Sequence, residues 1–210
     1  WGETAKDPER VRGAIRRLKA LLSIAESGER WALLGSAYKR LALASKAHTN
    51  SPPARQGIQE ELKLAADAYL RAWKRKSDSP YNSLNYIAVQ CVRGEESSTI
   101  DVPHADGGKC ETMKTVDYLA EIAARLRNQE TQLGNYWTAV AVPETKVLAL
   151  LHDFPTDEHR VKKTIQEIVE LYDQAEKTYG VTPRERYSAM SQWKFLAECL
   201  PAGLEGAQAI

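Results

Sequence analysis

Apolar residues recur every three to four positions along most of the chain, the pattern of amphipathic helices. Val11, Ala14, Ile15, Leu18, Leu21 and Leu22 make the first such stripe. Asp7 suits an N-cap, Pro8 the first helical position and Glu9 the first turn, so a helix is predicted over 7–26. After Gly28 a second helix runs to about Ala47, and "HTNSPPARQG" reads as a turn-rich break. A third helix is expected over 57–76, with Leu62, Ala65, Ala66, Tyr69, Leu70 and Trp73 on its inner face. "SDSPYN" ends it and a fourth helix follows from Tyr81 to Arg93. The longest irregular stretch, "GEESSTIDVPHADGGKCET", precedes a fifth helix over 113–129 carrying Val116, Leu119, Ala120, Ala123 and Leu126. Beyond Asn135, Pro143 interrupts a helical pattern and is expected to kink or split it. A long amphipathic helix covers 157–179. Thr182-Pro183-Arg184-Glu185 then has the form of a capping box opening a helix to about Leu200, before a short helix or frayed end. No alternating run is long enough to argue for a sheet. The expected class is all-α, with about eight helices.

The stretch "WALLGSAYKR" adds detail. Trp31, Leu34, Gly35 and Tyr38 lie three or four apart and share one helix face. Gly in mid-helix costs about 1 kcal/mol relative to Ala. Close approach of a neighbouring helix, where a Cβ would clash, is the usual compensation.

These residues resemble the first helix of the tetratricopeptide repeat, and Ala65, Tyr69 and Ala72 resemble its second, with Tyr in place of Phe. Tyr38 and Ala65 lie much further apart than in the repeat of about 34 residues, so both helices are expected to be longer than usual. Ser79-Pro80 falls near the repeat's closing proline. Trp137, Val140 and Ala141, then Ile168, Tyr172 and Ala175, keep parts of the same pattern. The resemblance implies a single domain over 1–210, built as a right-handed solenoid of antiparallel helix hairpins. Its parts would be about three hairpins (28–77, 81–129 and 135–180) and flanking helices 7–26 and 182–200. The order "DSPYNSLNYIAV", "NYWTAVAVPETKVLAL", "TPRERYSAMSQWKFL" also resembles the TRAFs-binding region of stress-responsive MAP kinase kinase kinases. It is similar, too, to bacterial repeat modules fused to caspase-like or trypsin-like proteases. That resemblance implies a sensing or scaffolding region that controls an effector and has no catalytic residue to transfer.

Charge narrows the partners. Lys and Arg number 29 against 28 Asp and Glu, a formal net charge of +1, which gives no electrostatic case for nucleic acid or membrane. No apolar run reaches the length of a membrane span, and no secretory leader opens the chain. Cys91, Cys110 and Cys199 form no CxxC pair, which fits a reducing compartment, and the expected location is cytoplasmic. The first residue is Trp, so a fragment of a longer polypeptide is expected.

Candidate chemistry is sparse. Asp101, His104, Asp106 and Cys110 can all ligate a metal, but none of their spacings is a recognised metal motif and "DGG" is an ordinary turn. A mobile surface loop is the better reading of 94–111, with recognition or cleavage of the loop as an alternative. His48, His152 and His159 read as histidines near helix ends. Glu60-Glu61 and Asp157-Glu158 belong at helix starts or on solvated faces, and Arg10 to Lys19 on a solvated one. Four tryptophans (Trp31, Trp73, Trp137 and Trp193) lie at core spacings. None of the phosphate-loop, dinucleotide, nucleophile-elbow or zincin motifs occurs. Neither a catalytic residue, a metal nor a cofactor is expected.

Stacked hairpins would line a groove with their first helices. Ser36, Lys39, Arg40, Asn85, Thr138 and Lys146 are the positions expected to face it, a set suited to an acidic or C-terminal carboxylate ligand. The leading expectation is a non-catalytic protein-binding module controlling an effector in cis or in trans. A sensor of a small anionic ligand, such as a nucleotide messenger, is the chief alternative. A metal-dependent hydrolase using the 94–111 loop ranks third.

Overall fold

The computed structural model describes residues 7–48, 52–95, 97–104, 110–133, 135–153 and 157–199. Among them are eight helices: α1 (Pro8–Ile24), α2 (Gly28–His48), α3 (Pro52–Arg75), α4 (Pro80–Arg93), α5 (Thr115–Leu133), α6 (Tyr136–His152), α7 (Glu158–Tyr179) and α8 (Pro183–Cys199). The fold is all-α, as the helical periodicity predicts. Two short strands, β1 (Thr99–Val102) and β2 (Glu111–Lys114), interrupt it between α4 and α5.

The chain divides into two compact units. One holds α1–α4, the other the strands and α5–α8. In the first, α1 and α3 both pack on α2, and α4 packs on α3. Asp7 caps α1 as expected, its carboxylate accepting from the Glu9 and Arg10 amides at 3.0 and 3.4 Å. The stripe of α1 is narrower than its sequence suggests: Val11, Ile15 and Leu22 are buried, whereas Ala14, Leu21 and Ile24 are exposed. α2 and α3 are 21 and 24 residues long, so the wide gap between Tyr38 and Ala65 is taken up by helix. α3 begins at Pro52 rather than 57, because a proline in the first turn loses no helical hydrogen bond.

Gly35 shows why a mid-helix glycine is kept. A Cβ built there would lie 2.9 Å from the ring of Tyr69, which is completely buried on α3. The helices meet where only Gly fits. Trp73, also completely buried, donates its indole N–H to the Ser77 carbonyl and packs against Tyr86 of α4 with ring centroids 6.1 Å apart.

In the second unit β1 and β2 pair antiparallel, Asp101 opposite Thr112. Strands of four residues are too short to register as alternation, which is why periodicity missed them. Ile100 is buried, and the Thr115 amide and hydroxyl bond the Ser98 and Ser97 carbonyls, tying the hairpin to the start of α5. β2 also takes Met113, which the periodicity assigns to the fifth helix.

Pro143 does not split α6, which runs through it from Tyr136 to His152. The buried Thr145 hydroxyl bonds the Val142 carbonyl in the same turn. Tyr136 is buried and Trp137 is 47% exposed, so the core spacing given to Trp137 is one residue out. Tyr136, Ala139, Val140, Ala175 and Ala189 form a core cluster flanked by Tyr172, Tyr179 and Val181. The expected capping box is present: the Glu185 amide donates to Thr182 Oγ1 at 3.3 Å and the Thr182 amide to Glu185 Oε2 at 3.0 Å. Among the described residues no helix is long and apolar enough to cross a membrane.

Candidate functional site

Ser36, Lys39 and Arg40 occupy one face of α2 at i, i+3 and i+4. Tyr81 and Asn85 lie one turn apart on α4, and Tyr69 reaches the same place from α3. The Ser36 hydroxyl sits between two phenols, 2.9 Å from that of Tyr69 and 3.0 Å from that of Tyr81. Lys39 Nζ donates to Asn85 Oδ1 at 2.8 Å and lies 6.0 Å from the centre of the Tyr69 ring. Asn85 in turn donates from Nδ2 to the Tyr81 carbonyl at 2.9 Å. Burial, followed by the neighbouring Tyr81, pushes the Tyr69 phenol well above its usual range, so it stays protonated and can donate.

Four of the expected groove positions therefore gather in the first unit, in two roles. Asn85 is buried and holds Lys39 in place, and Ser36 joins three helices through hydroxyls. Arg40 is exposed and has no ion pair among the described residues. Thr138 and Lys146 belong to the second unit. The Thr138 amide donates to the capping Asn135 side chain, and Lys146 pairs with Glu167 of α7 at 2.8 Å. That pairing holds the Glu167 carboxyl below its usual range. Sequence reasoning missed Tyr69 and Tyr81 as polar contributors. The available signal was Tyr at position 69, where the repeat has an apolar Phe.

The other candidates are separate. Asp101 accepts from the Thr112 hydroxyl across the hairpin at 2.6 Å, while His104 and Cys110 are exposed and Asp106 lies outside the described residues. Among the described residues no three His, Cys, Asp or Glu gather as metal ligands. His48 and His152 each end a helix, and the His159 amide donates to the capping Asp157. Glu61 departs from the solvated face expected for it. It is half-buried in mid-α3 and accepts from the Ser45 hydroxyl of α2 at 3.1 Å. Burial raises its carboxyl above the usual value, with Ser45 and then Arg12 working against the rise.

A stacked α2–α3 hairpin closed by Gly35 on Tyr69, with a second first-helix beside it, is the geometry of a tetratricopeptide repeat. The Tetratricopeptide Repeats-Sensor family model matches residues 3–90. Residues 3–90 are thus similar to a TPR-like sensor module. The match spans α1 to α3 and nearly all of α4, so it includes the whole Ser36–Lys39–Asn85 cluster. Repeats of this type generally bind other proteins and are generally non-catalytic. No curated protein and no solved structure matches the chain.

Proposed function

We propose that the sensor module binds an acidic peptide segment of a partner protein on the α2–α4 face and so regulates an effector, in cis or in trans. The observation that carries this reading is the Lys39–Asn85 bond beside exposed Arg40. Asn85 fixes the Lys39 ammonium on this face, where its charge attracts an acidic group. Arg40 adds a planar fork suited to a carboxylate. Thr138 and Lys146 are proposed as a separate acidic-ligand contact within the second unit, with Lys146 exchanging Glu167 for that ligand. Control of a protease or kinase in a stress or defence response follows the resemblance in segment order, and a cytoplasmic location follows cysteine usage. A small anion on the same face is the second reading, favoured by the two neighbouring cations.

Affinity capture from native extract tests this, comparing the parent chain with an Arg40→Glu variant matched for helicity by circular dichroism. Partners held by the parent and lost by the variant are expected, with binding that weakens as salt rises. Equal retention by both would reject this face.

A further inference from the structure

A second site lies elsewhere on the first unit. Lys19, Leu22 and Ser23 of α1, Trp31, Leu34 and Tyr38 of α2, and Leu64, Asp67, Ala68 and Arg71 of α3 line a cleft of about 360 Å³, with Glu26 at its edge. Each helix contributes residues three or four apart, so one face of each turns to the cleft. At about 100° per residue, Trp31 and Tyr38 project from α2 on the side away from Ser36 and Arg40. The cleft and the polar face are thus distinct surfaces, and neither proposal rests on the other.

Three features mark the cleft as more than a packing defect. Its floor is aromatic, and Trp31 Nε1 is buried without a hydrogen-bond partner among the described residues. A buried N–H left unpaired is costly, and an acceptor on a ligand would satisfy it. Two cations flank the rings: the Arg71 guanidinium lies 4.8 Å from the centre of the Trp31 ring and Lys19 Nζ 5.6 Å from that of Tyr38. Neither has an ion pair among the described residues, whereas Glu26 is taken up by Arg75. Asp67, one turn before Arg71 on α3, adds an acceptor to the same wall, which suits a ligand that also carries a donor. The volume falls at the small end of small-molecule sites.

We propose that this cleft binds a small aromatic acid, with its ring against Trp31, Leu34 and Tyr38 and its carboxylate or phosphate on Lys19 and Arg71. An N–H or O–H of the ligand donates to Asp67, and a ligand acceptor receives a hydrogen bond from the Trp31 indole N–H.

Calorimetric titration of the full 210-residue chain with indole-3-acetate and, separately, with AMP tests this. The first probe carries a carboxylate and the second a phosphate. Saturable binding of at least one probe, with Kd below about 1 mM, is expected. Arg71→Gln and Lys19→Gln should each weaken it about tenfold or more, and Trp31→Phe should weaken it less. Lys162→Gln, on α7, should leave it unchanged. Preference for one probe identifies the anionic group. Absence of saturable binding by either probe overturns the proposal, as does equal affinity in the Lys19→Gln chain. Should Arg71→Gln lose its helicity through the lost ring contact, Lys19→Gln decides alone.

Discussion

Tyr69 and Gly35 settle the contact between α2 and α3 as a pair, and the cost of disturbing them can be stated. Gly35→Ala gains helix propensity, but its methyl meets a completely buried ring with no room to swing. Overpacking of this kind costs about 1–3 kcal/mol, so urea denaturation should show net destabilisation. Gly13→Ala is the counterpart, since its nearest neighbour is the Arg16 guanidinium tip at 3.8 Å. It should stabilise by about 0.5–1 kcal/mol. Glu61 makes a prediction in pH. A carboxyl whose folded value is raised stabilises the fold when protonated and loses that contribution as pH rises through the raised value. Glu61→Gln should therefore have a higher Tm than the parent at neutral pH, and the gap should close as pH falls below 4.5, the group's ordinary value. At this scale the sequence was legible where chemistry is local. Asp7, Asn135 and Thr182 cap as their types suggest. The burial of Glu61 was hidden because a carboxylate suggests a solvated face, although Glu61 lies one turn before buried Ala65 on the inner side of α3.

Helices could be read one by one, because their periods are long and their caps explicit. The β1–β2 hairpin could not. Four residues per strand fall below what alternation can distinguish from chance, and Thr112 meeting Asp101 is a pairing across the loop rather than a pattern along it. In α6 the split that Pro143 could have caused does not occur, and the ring that anchors the helix is Tyr136 rather than Trp137, a shift of one residue that the motif's looseness concealed. The capping box of α8 is the element whose contribution is easiest to isolate. Thr182→Ala removes the acceptor for the Glu185 amide and the hydroxyl that bonds the Glu185 carboxylate at 2.6 Å. A loss of about 0.5–2 kcal/mol is expected, concentrated in the first turn of α8. Amide hydrogen exchange should show that turn opening while α7 keeps its protection.

For the molecule as a whole, the family match ends at residue 90, and the first compact unit reaches Glu95. The reading of that unit as a repeat was available from "WALLGSAYKR" because the motif is dense there. The candidate face was only partly legible. Cations at Lys39 and Arg40 follow from register, but the restraint of Lys39 by Asn85 and the Tyr69 ring joins three helices that no single stretch reveals. Repeats are stabilised mainly by their neighbours. A fragment ending at Glu95 should therefore unfold cooperatively, while one ending at Lys76 should not. The shorter fragment lacks the helix that packs on Trp73. Circular dichroism in urea separates the two outcomes.

Tyr69 combines two duties that usually reside in different residues. Its ring fills the space opposite Gly35, and its single oxygen joins the hydroxyl network of the candidate face. Tyr69→Phe deletes that oxygen and leaves the ring. It gives experimenters an allele that separates the two duties: the packing opposite Gly35 is kept while the Ser36 hydroxyl loses one of its two phenol partners, so any change in recognition reports that network rather than lost protein.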